Sequence, residues 1–132
     1  MLSHVWSSAT QGVDALPIEI ETNVASGMPK YTVVGLPDGA VRESYDRIRA
    51  ALKNTKLPFP RGVITINLAP ADVKKEGAAF DLPLAIGLMA VSGDLIPQRT
   101  LDELFIMGEL ALDGKVRAVR GVTDVPLQVD VN

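Results

Sequence analysis

Apolar and polar residues recur along this chain with two different periods. Ile18-Glu19-Ile20-Glu21-Thr22-Asn23-Val24 alternates with a period of two, the pattern of an antiparallel strand with one wet face. Ser3 to Gly12 and Val13 to Ala25 both favour extended structure, and Lys30-Tyr31-Thr32-Val33-Val34-Gly35-Leu36 reads as the next strand. Gln11-Gly12 and Ser26-Gly27-Met28-Pro29 supply the turns, so three consecutive strands form a predicted meander that Pro37 ends. The period then lengthens. Val41, Tyr45, Ile48 and Leu52 fall at i, i+4, i+7 and i+11 of a helix capped by Asp38 and running to about Asn54. Its other face carries Arg42, Glu43, Asp46, Arg47, Arg49 and Lys53, with Arg42–Asp46 and Glu43–Arg47 at the spacing of exposed ion pairs. Leu57-Pro58-Phe59-Pro60-Arg61-Gly62 closes it, because its prolines remove donors and hold the chain extended.

The stretch from Val63 to Val91 is the centre of the pattern. Val63-Ile64-Thr65-Ile66-Asn67-Leu68 is a β-branched run, hence a buried strand. Ala69 to Gly77, with its proline and charge cluster, is a surface loop. Asp81 to Val91 is apolar almost all round, a helix inside the fold with Asp81 as N-cap and Pro83 in the first turn. That run falls well short of the roughly 20 residues that span a bilayer, so no membrane segment is expected. Beyond it, Ser92-Gly93-Asp94 is a stop and Ile96-Pro97 a loop. Leu104 to Leu110 reads as a strand, and Asp113-Gly114 as a type I′ hairpin turn between Leu110-Ala111-Leu112 and Lys115 to Val119. The sum is an α+β fold: a sheet with helices packed on one side.

Composition narrows the function classes. The 132 residues suit one domain. A net charge of −3 gives the chain no general affinity for polyanions, so any nucleic-acid contact needs a local patch. Cysteine is absent, which excludes a thiolate nucleophile and a thiolate metal site. Met1-Leu2-Ser3-His4-Val5-Trp6 lacks the basic and apolar regions of a signal peptide, and a cytoplasmic location is expected.

Three stretches resemble one family. Tyr31 to Pro37, then Ile66 to Gly77 with Phe80-Asp81-Leu82-Pro83, then Gly108 to Arg117 look like the N-terminal domain of the magnesium-chelatase-like AAA+ ATPases, and within them the ComM/YifB subfamily. The resemblance runs in order from about Leu2 to Val122. It implies the fold shared by the Lon protease proteolytic domain and the second domain of a small-subunit ribosomal protein, with a mixed sheet, over residues 1–122. It implies full-length members that are ATP-driven homo-hexamers linked to natural transformation and DNA branch migration, with ATP and Mg2+ bound in an ATPase domain absent from this chain. The implied partners are that domain, neighbouring subunits and DNA. Thr123 to Asn132 departs from the family pattern and reads as a truncated or altered tail.

Candidate chemistry is sparse. The phosphate-cradling string G-x-x-x-x-G-K-[ST] does not occur, and Gly114-Lys115 is set in a hairpin, so no cofactor site is expected here. A Lon-like Ser–Lys dyad would fall near Ala78 or Ala79 and near Thr123, none of which is the required residue. No catalytic residue is assigned. A degenerate hydrolase using Ser44 or Ser92 with a nearby lysine is the competing class, and a purely structural oligomerisation module is a third. His4 is the only histidine, and with Asp72, Glu76 and Asp81 read as turn, ion-pair and cap residues, no metal site is assigned. Arg42, Arg47, Arg49, Lys53, Lys56 and Arg61 outnumber the neighbouring acids and form a candidate phosphate-tracking surface. Asp72, Lys74, Lys75 and Glu76 form a candidate partner-contact loop.

Overall fold

The alternating stretch around Ile20 lies within a long strand whose inward residues set the plane of the core. In the computed structural model, which describes residues 1–11, 14–91 and 96–117, β1 (Leu2–Gln11) and β2 (Asp14–Ala25) pair antiparallel, with Val5 opposite Ile20 and Ser7 opposite Ile18. Ile18, Ile20 and Thr22 are buried, while Glu19 and Glu21 between them stay partly exposed, as a two-residue period requires.

β3 (Lys30–Val34) and β4 (Val63–Ala69) run parallel, with Val33 opposite Ile66. Parallel neighbours need a crossover, and α1 (Gly39–Asn54) supplies it. On its other side β4 pairs antiparallel with β2, so the sheet is mixed and ordered β1-β2-β4-β3. This corrects the predicted meander: β3 follows β2 in sequence, but β4 is seated between them. The Ser26–Pro29 connection therefore crosses two inter-strand spacings, about 9.5 Å. Gly62 permits the insertion. At its φ of +109°, a Cβ would lie 2.3 Å from the carbonyl oxygen of Ala25, so β4 can begin against the end of β2 only without a side chain there.

Asp38 caps α1 as its position predicts, with Oδ1 accepting from the Val41 N–H at 2.8 Å. The buried stripe of α1 is Val41, Ser44, Ile48, Ala51 and Leu52, whereas Tyr45 sits half-buried at its rim against Tyr31, ring centroids 4.3 Å apart. A 3₁₀ turn (Ala78–Phe80) leads into α2 (Asp81–Val91), which lies against β1 and β2 and is buried on several faces, as its all-round apolar sequence predicts. Val5, Ile18, Ile20, Ile66 and Leu68 from one face of the sheet meet Val41 and Ile48 of α1 and Leu84 and Leu88 of α2, all fully buried. Among the described residues no helix is long and apolar enough to cross a membrane.

The last third departs further from the local pattern. A short α3 (Gln98–Leu101) follows the Ile96-Pro97 loop, in a stretch to which the sequence pattern assigns no element. Leu104 to Leu110 is not one strand, because its backbone bonds are divided between two neighbours. Ile106 N–H donates to Trp6 at 2.9 Å, whereas Gly108 donates to Ala79 at 2.8 Å and accepts from Leu82 at 3.0 Å, at the start of α2. Only β5 (Glu109–Leu110) remains, paired with β6 (Val116–Arg117). The hairpin is present but its turn is not type I′. Gly114 donates to Ala111 at 3.0 Å, Ala111 to Lys115 at 2.8 Å, and Gly114 alone in the loop has positive φ, +93°. This is a three-residue loop closed by a left-handed glycine. Gly12, Ser92-Gly93-Asp94, the end of the last predicted strand at Val119, and Thr123 to Asn132 lie outside the described residues.

Candidate functional site

Helical spacing decides which of the predicted cations share a surface. Arg42, Arg49 and Lys53 fall at i, i+7 and i+11 on one exposed stripe of α1, with Asp46 at i+4 among them. Lys56 follows the helix end in a left-handed conformation, φ 62°, and Arg61 continues the exposed run. Arg49 is fixed in place: Nη1 donates to the Tyr45 hydroxyl at 2.7 Å, and the guanidinium lies 5.4 Å from the Tyr45 ring centroid and 5.5 Å from that of Phe59. Tyr45 and Phe59 meet edge to face at 5.9 Å, and Tyr31 supports Tyr45 from beneath. Burial, and then the proximity of Tyr45 and Asp81, push the Tyr31 phenol well above its ordinary pKa, so it stays neutral. Of the two ion pairs read from spacing, Glu43–Arg47 is present at 3.8 Å, and Arg42–Asp46 is not formed among the described residues.

Two predicted surface cations turn inward. Arg47 grips Asp81 as a fork, Nε to Oδ2 at 2.7 Å and Nη2 to Oδ1 at 3.0 Å, and that hydrogen bonding raises the guanidinium pKa further. It is therefore tied into the fold, 23% exposed, and stands apart from the exposed stripe of Arg42, Arg49 and Lys53. Asp81 is fully buried and is no simple N-cap: it also accepts from Ser44 Oγ at 2.5 Å and from the Leu110 N–H at 3.0 Å. Ser44 is accordingly a buried donor to a carboxylate, its cationic neighbour is a guanidinium that cannot act as base, and among the described residues no lysine reaches it. Ser92 and Thr123 lie outside the described residues, and Ala78 and Ala79 sit half-buried in the 3₁₀ turn.

The candidate contact loop divides in the same way. Asp72, Lys74 and Glu76 are exposed, and Lys74 pairs with Glu76 at 3.6 Å. Lys75 is fully buried, a correction to its assignment as a contact residue. Its ammonium donates to the carbonyl of Gly35 at 2.7 Å and to that of Pro70, while its backbone bonds to Leu36 and Asp38 at 3.0 Å each. Burial lowers its pKa, and Asp72 opposes the shift.

On the opposite face of the sheet, the β1–β2 register brings His4 beside two glutamates. His4 Nδ1 lies 3.0 Å from Glu19 Oε2 and 3.8 Å from Glu21 Oε2, and Glu21 Oε1 accepts from Asn67 Nδ2 at 2.9 Å. Sequence reasoning missed this group. The signal was a hairpin register centred near Gly12, which sets His4 opposite Glu21.

Residues 20–131 match the family described as subunit ChlI of Mg-chelatase. The chain belongs to the Mg-chelatase ChlI family. This ChlI-family chain is 48% identical over 120 residues to protein YifB of Escherichia coli strain K12 and 46% identical over 121 residues to competence protein ComM of Haemophilus influenzae. It is 40% identical over 121 residues to an uncharacterised protein of Mycobacterium tuberculosis. These alignments cover 91% or 92% of the chain but 24% of each relative, so the chain spans about a quarter of the length of the relatives it matches. At the Gly-Lys step of the ChlI-family chain, Gly114 closes the hairpin loop and Lys115 is exposed beyond it, with β6 following.

Proposed function

We propose that this chain is a non-catalytic N-terminal interaction domain of a ComM/YifB-type ATPase, and that it engages DNA through the exposed face of α1. The observation that carries the reading is the run of Arg42, Arg49, Lys53, Lys56 and Arg61, in which Arg49 is held over Tyr45 and Phe59. Exposed cations are concentrated there in a chain whose net charge is −3, and a fixed aromatic rim gives them a stacking element as well as charge. The Haemophilus relative bears the name competence protein, which supports a role in DNA handling. The two-layer arrangement, with a mixed sheet buried on one face, supports the Lon-like fold. In this reading ATP and Mg2+ are bound by a part of such proteins outside this chain. Hexamer neighbours and that ATPase part are its protein partners, and the whole acts in the cytoplasm on branched DNA.

Binding of forked and linear duplexes across a salt series tests the proposal. The apparent affinity is expected to fall with salt with a log–log slope of about −0.9 per phosphate contacted. Arg42→Glu combined with Lys53→Glu is expected to remove most binding and to flatten that slope by about two contacts. Absence of binding at low salt would move DNA engagement elsewhere and leave this domain as a scaffold or protein adaptor.

A further inference from the structure

We propose that His4, Glu19 and Glu21 form a divalent transition-metal site, of the kind zinc fills, on the open face of the sheet. The three ligand atoms come from adjacent antiparallel strands and lie within 4.8 Å of one another. Zinc holds nitrogen and carboxylate oxygen at about 2.0–2.2 Å, which sets neighbouring tetrahedral ligands about 3.3–3.5 Å apart. The observed separations of 3.0 and 3.8 Å from His4 Nδ1 bracket that distance, and the two carboxylates stand within 4.8 Å of each other, so rotation of the partly exposed side chains about the fixed histidine closes the site.

The group is supported from outside. Asn67 on β4 holds the far oxygen of Glu21 at 2.9 Å and turns the near one toward His4, the orientation an outer-shell partner gives to a metal ligand. The backbone of His4 is clamped by the amide of Gln98, which accepts from its N–H at 3.0 Å and donates to its carbonyl at 2.8 Å. The charge balance points the same way. Glu19 and Glu21 share one face two residues apart, and among the described residues no lysine or arginine pairs with either. Among the described residues their basic neighbour is an imidazole, a side chain that serves as a metal ligand. A nitrogen donor beside two carboxylates favours zinc and its neighbours over magnesium or calcium, which prefer all-oxygen shells. The three side chains are each about one-third exposed, 33%, 32% and 33%, so a fourth position stays open to water. The bound ion would tie β1 to β2 independently of any role in DNA binding.

The test uses tag-free protein stripped by a chelator and titrated with Zn2+ against a chromophoric competitor, with Co2+ as a spectroscopic substitute. One equivalent is expected to bind with micromolar affinity, and Co2+ to give the intense visible bands of a tetrahedral nitrogen–oxygen site. His4→Ala and Glu21→Gln should each weaken binding at least tenfold, and Asn67→Ala by about tenfold. Far-UV circular dichroism should stay unchanged, since all three residues lie on the exposed face. Mg2+ in large excess should not compete. Failure to saturate below about 100 µM Zn2+, affinity unchanged in His4→Ala, or equal displacement by Mg2+ would each overturn the assignment.

Discussion

Replacing Asp81 with asparagine alters one atom of a buried side chain, yet it removes the charge that joins α1, α2 and the β5–β6 hairpin. An ionised carboxylate offers about four lone-pair directions. Here Ser44 and Arg47 Nη2 use those of Oδ1, and Arg47 Nε and the Leu110 N–H use those of Oδ2, at 2.5 to 3.0 Å. Asparagine retains one carbonyl oxygen, so two of these donors would face an NH2 group. Each orphaned donor costs about 1–3 kcal/mol. The Arg47 side chain is 23% exposed and recovers part of its loss from water. The total should therefore lie near the lower end of the range for breaking a buried ion pair, about 3–4 kcal/mol. Against a stability of about 5–15 kcal/mol the variant still folds, and its urea midpoint falls by about 1.5–2 M at a slope of about 2 kcal/mol/M. Arg47→Met attacks the same contact from the other side. Because it strands a fully buried carboxylate, the double variant should be less destabilised than the sum of the singles, by about 2 kcal/mol. Additivity within about 0.5 kcal/mol, or a loss below about 1 kcal/mol for Asp81→Asn, would refute the view that this carboxylate organises the three elements.

Lys75 gives a pH signature. Its folded pKa is lowered from the ordinary 10.5 by burial, so between the two values the unfolded chain binds more protons and stability rises with pH, while below that window the burial penalty is present in full. The unfolding free energy of the native chain minus that of Lys75→Met should grow with pH through the window that ends at the ordinary 10.5 and be flat below it, and parallel profiles at all pH would contradict it. Asp38→Ala removes the cap on Val41 and a second bond, 3.1 Å, from the Gly77 N–H to Oδ2, and should cost about 1–2 kcal/mol in thermal or urea unfolding. Asp38→Asn keeps an acceptor for Val41 and should cost less than half as much; equal losses would mean that capping is not the cause.

Elements with a local cause were legible in the sequence. α1 begins at its capping aspartate, β4 follows its β-branched run, and α2 is buried because no face of it is polar. Pairing was not legible, since nothing in Lys30–Val34 says that its neighbour is β4 and not β2. The same limit applies to the candidate sites. Arg47 and Lys75 read as surface charges because their partners, Asp81 in one case and the Gly35 and Pro70 carbonyls in the other, are brought to them only by tertiary packing. Arg42, Arg49 and Lys53 kept their predicted exposure because helical spacing alone fixes their common face. His4 was set aside as the only histidine, yet its partners stand on the next strand, where only the pairing of β1 with β2 brings Glu19 and Glu21 beside it.

The insertion of β4 between β2 and β3 also sets an order of events on the ribosome. The β1–β2 hairpin can close as soon as Ala25 has emerged, but Glu19 must wait for Ala69 before the second edge of β2 finds its partner. α1 and the chain on either side of it are made in between. At elongation rates on the order of 5–20 residues per second, that edge stays bare for several seconds. During that interval the nascent hairpin, with Ile18 and Ile20 uncovered, offers a template to any extended segment nearby, including the same hairpin on a neighbouring ribosome. Crowded polysomes are therefore where this sequence is most exposed to strand exchange, and where a chaperone that masks one sheet edge would have the largest effect on yield.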